Sequence, residues 1–199
     1  FFFFSLVCGL LQVYFPGVSL YINGIAYSLF IIYFRIQNSN MYVDYLTGAY
    51  NRRKLDLYLK RKIKESSENN TFGAVLLDLD GFKSINDQLG HSVGDCALED
   101  TVSILHESIR ANDLVARYGG DEFCVVLDTA TAEELESVIS RIQSRLCEFN
   151  ERGGRPYRLS FSMGYCIYDV RSHMNIEEFL KKIDDLMYQN KREYHGAVT

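Results

Sequence analysis

Leu114-Val115-Ala116-Arg117-Tyr118-Gly119-Gly120-Asp121-Glu122-Phe123-Cys124-Val125-Val126-Leu127 is two apolar, β-prone runs around a tight Gly-Gly-Asp-Glu centre. That is the pattern of a β-hairpin with a functional tip. Paired glycines predict positive φ angles in a short turn, and they clear side chains where something must approach the backbone. Two adjacent carboxylates at such a tip repel each other unless a cation or a proton is shared. A hard divalent ion such as Mg2+ suits an all-oxygen site of this kind.

Upstream, Phe72–Leu79 (FGAVLLDL) is a short, almost continuous apolar run, which predicts a central strand buried on both faces. It closes on Asp78-Leu79-Asp80, carboxylates at the end of core β structure. Helices are predicted over Gly81–Leu89, from about Asp95 through Ile109, over Thr131–Phe149 and over Ile176–Lys191. Another follows Thr47 or Asn51 as cap and carries an apolar stripe at Leu55, Leu59 and Ile63. Tyr157–Tyr168 reads as one or two strands, with Gly164 as a bulge. The order α-β-α-α-β-β-α-β-α predicts an α+β sandwich, a mostly antiparallel central sheet flanked by helices.

All charges of this net −5 chain lie at or after Arg35. Residues 1–34 contain no Asp, Glu, Lys or Arg. Val18–Phe34 is long enough for about 25 Å of helix and reads as a transmembrane helix. Phe1–Phe15 reads as the end of a preceding span. Tyr14, Tyr21, Tyr27 and Tyr33 suggest interfacial belts, and Arg35, Arg52, Arg53 and Lys54 put the body on the cytoplasmic side of a cell membrane. The expected organisation is a membrane region 1–36, a connector helix 37–43 and a domain 44–199. The acidic body argues against a nucleic-acid partner. Cys8, Cys96, Cys124, Cys147 and Cys166 form no CxxC pair, so buried free thiols in a reducing compartment are expected.

If the two strands pair, Asp78/Asp80 and Asp121/Glu122 converge into a two-cation site able to clamp nucleotide phosphates. Lys83 could neutralise a phosphate. Asn86 and Asp95 suit the donor and acceptor edge of guanine.

The motifs DYLTGAYNRR (44–53), LLDLDGFKSINDQLGHSVGD (76–95), RANDLVARYGGDEF (110–123) and RLSFSMG (158–164) closely resemble the GGDEF family, the diguanylate cyclases. The resemblance covers residues 40–199. It implies a ferredoxin-like, nucleotidyl-cyclase palm fold and condensation of two GTP into cyclic di-GMP with release of two pyrophosphates. By position it gives two Mg2+ ions (or Mn2+) to Asp78, Asp121 and the Leu79 carbonyl. Glu122 or Asp121 would help to deprotonate the ribose 3′-OH. Lys83 and Lys191 would contact phosphates, Asn86 and Asp95 would read guanine, and Phe82, Gly119 and Gly120 would line the substrate. Asp44 and Arg52/Arg53 look structural in the family.

The same resemblance gives Arg110 and Asp113, an RxxD pattern, to product-binding feedback. It implies a homodimer, because each subunit holds one GTP. The C-terminal motif departs from the family pattern: Lys191 is in place, but Tyr194 and His195 stand where Gly and Arg are usual. Gly81 replaces a common bulky residue. Two alternatives stay beside this reading, a catalytically weak module that senses GTP or cyclic di-GMP and a related cyclase with another product.

Overall fold

The computed structural model describes residues 10, 13, 20–39, 42–68, 70–128 and 130–196. The chain divides into two compact units, Phe1–Tyr42 and Val43–Thr199.

In the first unit, α1 (Leu20–Ser39) is a 20-residue helix. Phe30 and Phe34 stack one turn apart with centroids 6.3 Å from each other. Among the described residues, no helix is long and apolar enough to cross a membrane. The described helix by itself therefore falls short of the length and apolarity expected of the span Val18–Phe34. A helix does form from Leu20, but Asn23 and the terminal Arg35-Ile36-Gln37-Asn38 dilute its apolarity. Most of residues 1–15, where the preceding span was expected, lie outside the described residues. The helical connector is seen only as far as Ser39.

The second unit is built on a five-stranded sheet of β1 (Tyr50–Asn51), β2 (Gly73–Leu79), β3 (Leu114–Arg117), β4 (Glu122–Leu127) and β5 (Phe161–Ile167), in the order β1-β3-β4-β2-β5. β1 pairs parallel to β3, and every other pairing is antiparallel. The hairpin read from the sequence is β3–β4, and the FGAVLLDL strand is β2, with a partner on each side. The two-residue β1 was not anticipated. So short a strand has no periodicity to read.

Alternation along the strands sends side chains to two cores. Val75, Leu77, Leu79, Val115, Phe123 and Val125 pack under α4 (His91–Ser108) and α5 (Ala132–Arg152). Ala74, Leu76, Leu114, Ala116, Cys124 and Val126 pack under α2 (Arg52–Glu65) and α6 (Ile176–Gly196). Burial on both faces is why these strands read as unbroken apolar runs. Phe72, Tyr168 and Phe179 anchor the second core as an aromatic triad, with centroids 5.1 and 5.4 Å apart.

The helix starts follow local chemistry. Asn51 caps α2 by accepting from the Lys54 N–H at 3.1 Å. Thr131 and Glu134 form a capping box on α5. α3 (Phe82–Leu89) begins at Gly81, whose φ of 70° is left-handed. That conformation accounts for glycine at this position.

Gly164 is not a bulge. It pairs in register with Leu76 within an unbroken β2–β5 ladder. A Cβ there would collide with the Ile183 carbonyl and the Met187 amide of α6, so glycine lets helix and strand backbones touch. The thiols also differ in part from expectation. Cys124 is buried and burial pushes its pKa up to about 12, whereas Cys147 lies exposed on the outer face of α5.

Candidate active site

β2 and β4 pair so that Asp78 stands opposite Glu122. The Leu79 N–H donates to the Asp121 carbonyl at 3.1 Å and extends this contact into the turn. Both carboxylate clusters therefore meet at one end of the sheet, as the sequence predicted on condition that the strands paired.

The tip itself is not built as expected. Neither Gly119 nor Gly120 has a positive φ. The turn is held by the Glu122 carbonyl, which accepts from the Tyr118 and Gly119 N–H groups at 2.8 and 3.2 Å. Glycine at 119 answers a different need. A Cβ there would strike Glu122 Oε2, so the missing side chain makes room for the carboxylate. The Gly120 carbonyl is gripped by Arg117, whose Nε and Nη2 donate at 3.1 and 2.7 Å.

Arg117 also ties the tip to the start of the domain. Its Nη1 donates to Asp44 Oδ1 at 3.1 Å, and Asp44 also accepts from the Thr47 N–H and hydroxyl. Arg52 lies over the Tyr118 ring, 4.5 Å from its centroid. Asp44 and Arg52 thus fasten the Gly119–Glu122 turn, consistent with the structural role the family resemblance gave them.

Burial, then the charges of Asp78, Asp121 and Asp184, push the Glu122 carboxyl above the usual range, against a smaller opposing effect of Arg52. Such a crowd of acids calls for a cation. Lys191 supplies one, with Nζ 2.6 Å from Asp78 Oδ1 and 3.6 Å from Asp80 Oδ1. The hydrogen bond to Asp78 leads the effects that raise its pKa, so the ammonium stays charged.

The oxygen donors Asp78, Asp121 and the Leu79 carbonyl fit a hard divalent ion by their chemistry. Among the described residues, no three His, Cys, Asp or Glu side chains are grouped to hold a metal ion. An ion here would therefore rest on two carboxylates, a backbone oxygen and phosphates brought by the substrate, a common arrangement for Mg2+.

Of the other predicted residues, Lys83 is exposed on α3 and Phe82 is half-buried against the first core. Asn86 packs onto Gly94, where a Cβ would collide with its Oδ1, and so stands beside the exposed Asp95. Arg110 and Asp113 sit apart from the site, at the opposite end of β3. Asp113 accepts from the Arg110 and Asp128 N–H groups at 2.9 and 3.0 Å, and both Arg110 terminal nitrogens reach Glu134 Oε1 at 3.2 Å. These residues line a cavity with Ser137 and Arg141. The side chains of Tyr194 and His195 lie outside the described residues.

Sequence reasoning missed the supports. Ser160 and Ser162 donate to Asp80, Arg117 clamps Gly120, and the charge of Asp184 helps to raise the Glu122 pKa. Hydroxyls two residues apart in a strand share a face, so Ser160 and Ser162 carried a readable signal. Arg117 and Asp184 carried none.

Residues 41–196 match the family model described as diguanylate cyclase, GGDEF domain. Diguanylate cyclase DosC of Escherichia coli K12 is 33% identical over 159 residues, 78% of this chain and 34% of DosC. An uncharacterized membrane protein of Staphylococcus saprophyticus is 30% identical over 159 residues, 78% of this chain and 45% of that protein. The chain thus spans about a third of the length of DosC. Among solved structures, the coiled coil and GGDEF domain of DgcB from Caulobacter crescentus, in complex with c-di-GMP, superposes with a TM-score of 0.77. It covers 88% of this chain and 93% of that one at 22% identity, a likeness of fold alone. The GGDEF domain of TpbB (YfiN) from Pseudomonas aeruginosa is 29% identical with a TM-score of 0.67, covering 76% of this chain and 89% of that one. With its motifs in order and its carboxylates gathered at one end of the sheet, the chain belongs to the diguanylate cyclase GGDEF domain family.

Proposed function

We propose that this chain is a diguanylate cyclase that condenses two GTP into cyclic di-GMP and releases two pyrophosphates. The observation that carries the reading is the convergence of Asp78 with Asp121 and Glu122 across the β2–β4 ladder, inside a domain of this family. Two Mg2+ ions, or Mn2+ in their place, held by Asp78, Asp121 and the Leu79 carbonyl would neutralise charge on the phosphates. Lys83 and Lys191 bind phosphate oxygens, Asn86 and Asp95 orient guanine, and Phe82, Gly119 and Gly120 border the substrate. Glu122, with its raised pKa, or Asp121 takes the proton of the ribose 3′-OH.

One site holds one GTP, so the reaction needs a homodimer in which each 3′-OH faces the other subunit's α-phosphate. Product feedback through Arg110 and Asp113 belongs to the same proposal and is supported by the cavity beside them. So does attachment to a cell membrane with a cytoplasmic catalytic domain. It rests on the uncharged residues 1–34 and on similarity to the staphylococcal membrane protein.

The test is turnover of GTP with Mg2+ by the full chain at concentrations that allow dimerisation, with the product identified by mass spectrometry beside an Asp121→Ala control. Cyclic di-GMP from the natural sequence and none from the control supports the reading. No product at any protein concentration overturns it.

A further inference from the structure

The carboxylate that the proposed function gives to a metal is already engaged. Lys191 Nζ lies 2.6 Å from Asp78 Oδ1 and 3.6 Å from Asp80 Oδ1. Asp80 is anchored by three hydrogen bonds. Ser162 Oγ donates to its Oδ1 at 2.7 Å, Ser160 Oγ donates to its Oδ2 at 3.0 Å, and its own N–H donates to the Ser160 carbonyl at 2.9 Å. The helix that carries the lysine is fixed as well, because Asn190 Nδ2 donates to the Met163 carbonyl of β5 at 2.9 Å. A flexible ammonium is thus held between a carboxylate that faces Glu122 and one clamped in place by β5.

We propose that Lys191 is the resident cation of the metal-free site and that Asp80 is its positioning residue. A divalent ion arriving at Asp78 displaces the ammonium. Asp80 then keeps the ammonium at the mouth of the site, within reach of a phosphate. The proposal rests on the reading of Asp78 as a metal ligand.

Two cations cannot share one carboxylate oxygen at bonding distance without strong repulsion, so the ion must overcome the Asp78–Lys191 contact. Asp80 lowers that cost because the lysine exchanges one carboxylate for another. Nucleotide phosphates lower it further by drawing the ammonium away. Metal and nucleotide therefore bind with positive coupling, each raising the affinity for the other by the same factor.

The experiment uses the full chain with Mn2+ alone as probe, its binding followed by electron paramagnetic resonance without nucleotide. Lys191→Met is expected to bind Mn2+ about tenfold tighter or more, since a unit charge is removed from beside the ion. Asp80→Asn weakens binding in the natural background, and this effect shrinks toward nothing when Lys191→Met is also present. In GTP turnover, Asp80→Asn raises KM while kcat is largely retained. Should Lys191→Met fail to fold by circular dichroism, Lys191→Gln provides the same test.

Unchanged or weaker Mn2+ binding by the lysine variant, with binding abolished in Asp78→Asn, overturns the displacement while leaving the metal reading intact. Retained binding in Asp78→Asn overturns the metal reading itself. An Asp80→Asn effect of full size in the Lys191→Met background shows that Asp80 acts without the lysine and overturns its positioning role.

Discussion

Asp78 and Glu122 are direct cross-strand partners on β2 and β4. Like charges so placed are destabilising. The fold answers by bringing Lys191 onto Asp78, while the Glu122 carboxyl titrates above its usual range through burial and its acidic neighbours. The site thus tolerates a repulsion that phosphate-bound cations could use.

The Glu122 carboxylate occupies the space where a side chain at 119 would stand. Gly119→Ala needs no forbidden backbone angle, because φ at 119 is not positive. Its methyl group displaces only the end of a flexible side chain. Stability should stay close to that of the natural sequence, while GTP turnover falls about a hundredfold, the scale of a misplaced reacting group. A thermal melt and a turnover assay on one preparation check both halves. Undiminished turnover would show that the position of Glu122 is not needed.

How far the sequence was readable follows from the range of each signal. β2, the β3–β4 hairpin and the helices are visible because burial on two faces, or on one stripe, writes itself into local periodicity. The meeting of Asp78 with Asp121 and Glu122 was deducible once pairing was granted. The Asp78–Lys191 contact was not, because the two residues lie far apart in the chain and a lysine does not announce its partner. Gly119 and Gly164 were visible as glycines, but their reasons lie in the Glu122 side chain and the α6 backbone. Gly164 was read as an irregularity and proved to be space; Gly119 was read as turn freedom and as cleared room, and the room is filled by the Glu122 carboxylate of the same turn.

Gly164 yields a prediction of the opposite kind. A Cβ there would meet the Ile183 carbonyl and Met187 amide, backbone atoms that cannot swing aside. Gly164→Ala must push α6 off the sheet or bend β5. Overpacking of this sort costs about 1–3 kcal/mol and sometimes more. Chemical denaturation should show a lowered midpoint. Turnover should also suffer, because Lys191 and Asn190 ride on the displaced helix. A variant as stable as the natural sequence would mean that the helix and strand have slack.

Asp44 sets an acid limit on stability. Burial raises its pKa, but hydrogen bonds from Thr47 and Arg117 outweigh this and hold the carboxyl below its usual value of 3.8. Its folded pKa is depressed, so its contribution is present above the unfolded pKa and is lost as pH falls through the folded one. Stability should therefore drop below about pH 4, and Asp44→Ala should remove that part of the drop. At neutral pH the same variant leaves the mostly buried Arg117 without its carboxylate, its hydrogen bonds to the Gly120 carbonyl remaining, and should cost about 2 kcal/mol. Urea midpoints measured from pH 3 to pH 7 check this. Parallel curves for the two proteins would rule Asp44 out.

Glu134 restrains the guanidinium assigned to product feedback. Both terminal nitrogens of Arg110 contact its Oε1, while its Oε2 accepts from the Thr131 N–H in the capping box. Glu134→Gln separates the two duties, since Gln also serves at the third position of a capping box. The charge that holds Arg110 is removed and the helix start is kept. An exposed pair of this type is worth about 0.2–1 kcal/mol, so cyclic di-GMP should bind up to about fivefold tighter and inhibit at correspondingly lower concentration. Calorimetric titration with cyclic di-GMP measures the change, with Arg110→Ala as the variant that should not bind. If Glu134→Gln binds more weakly, the carboxylate belongs to the product site itself and orients Arg110 for the ligand.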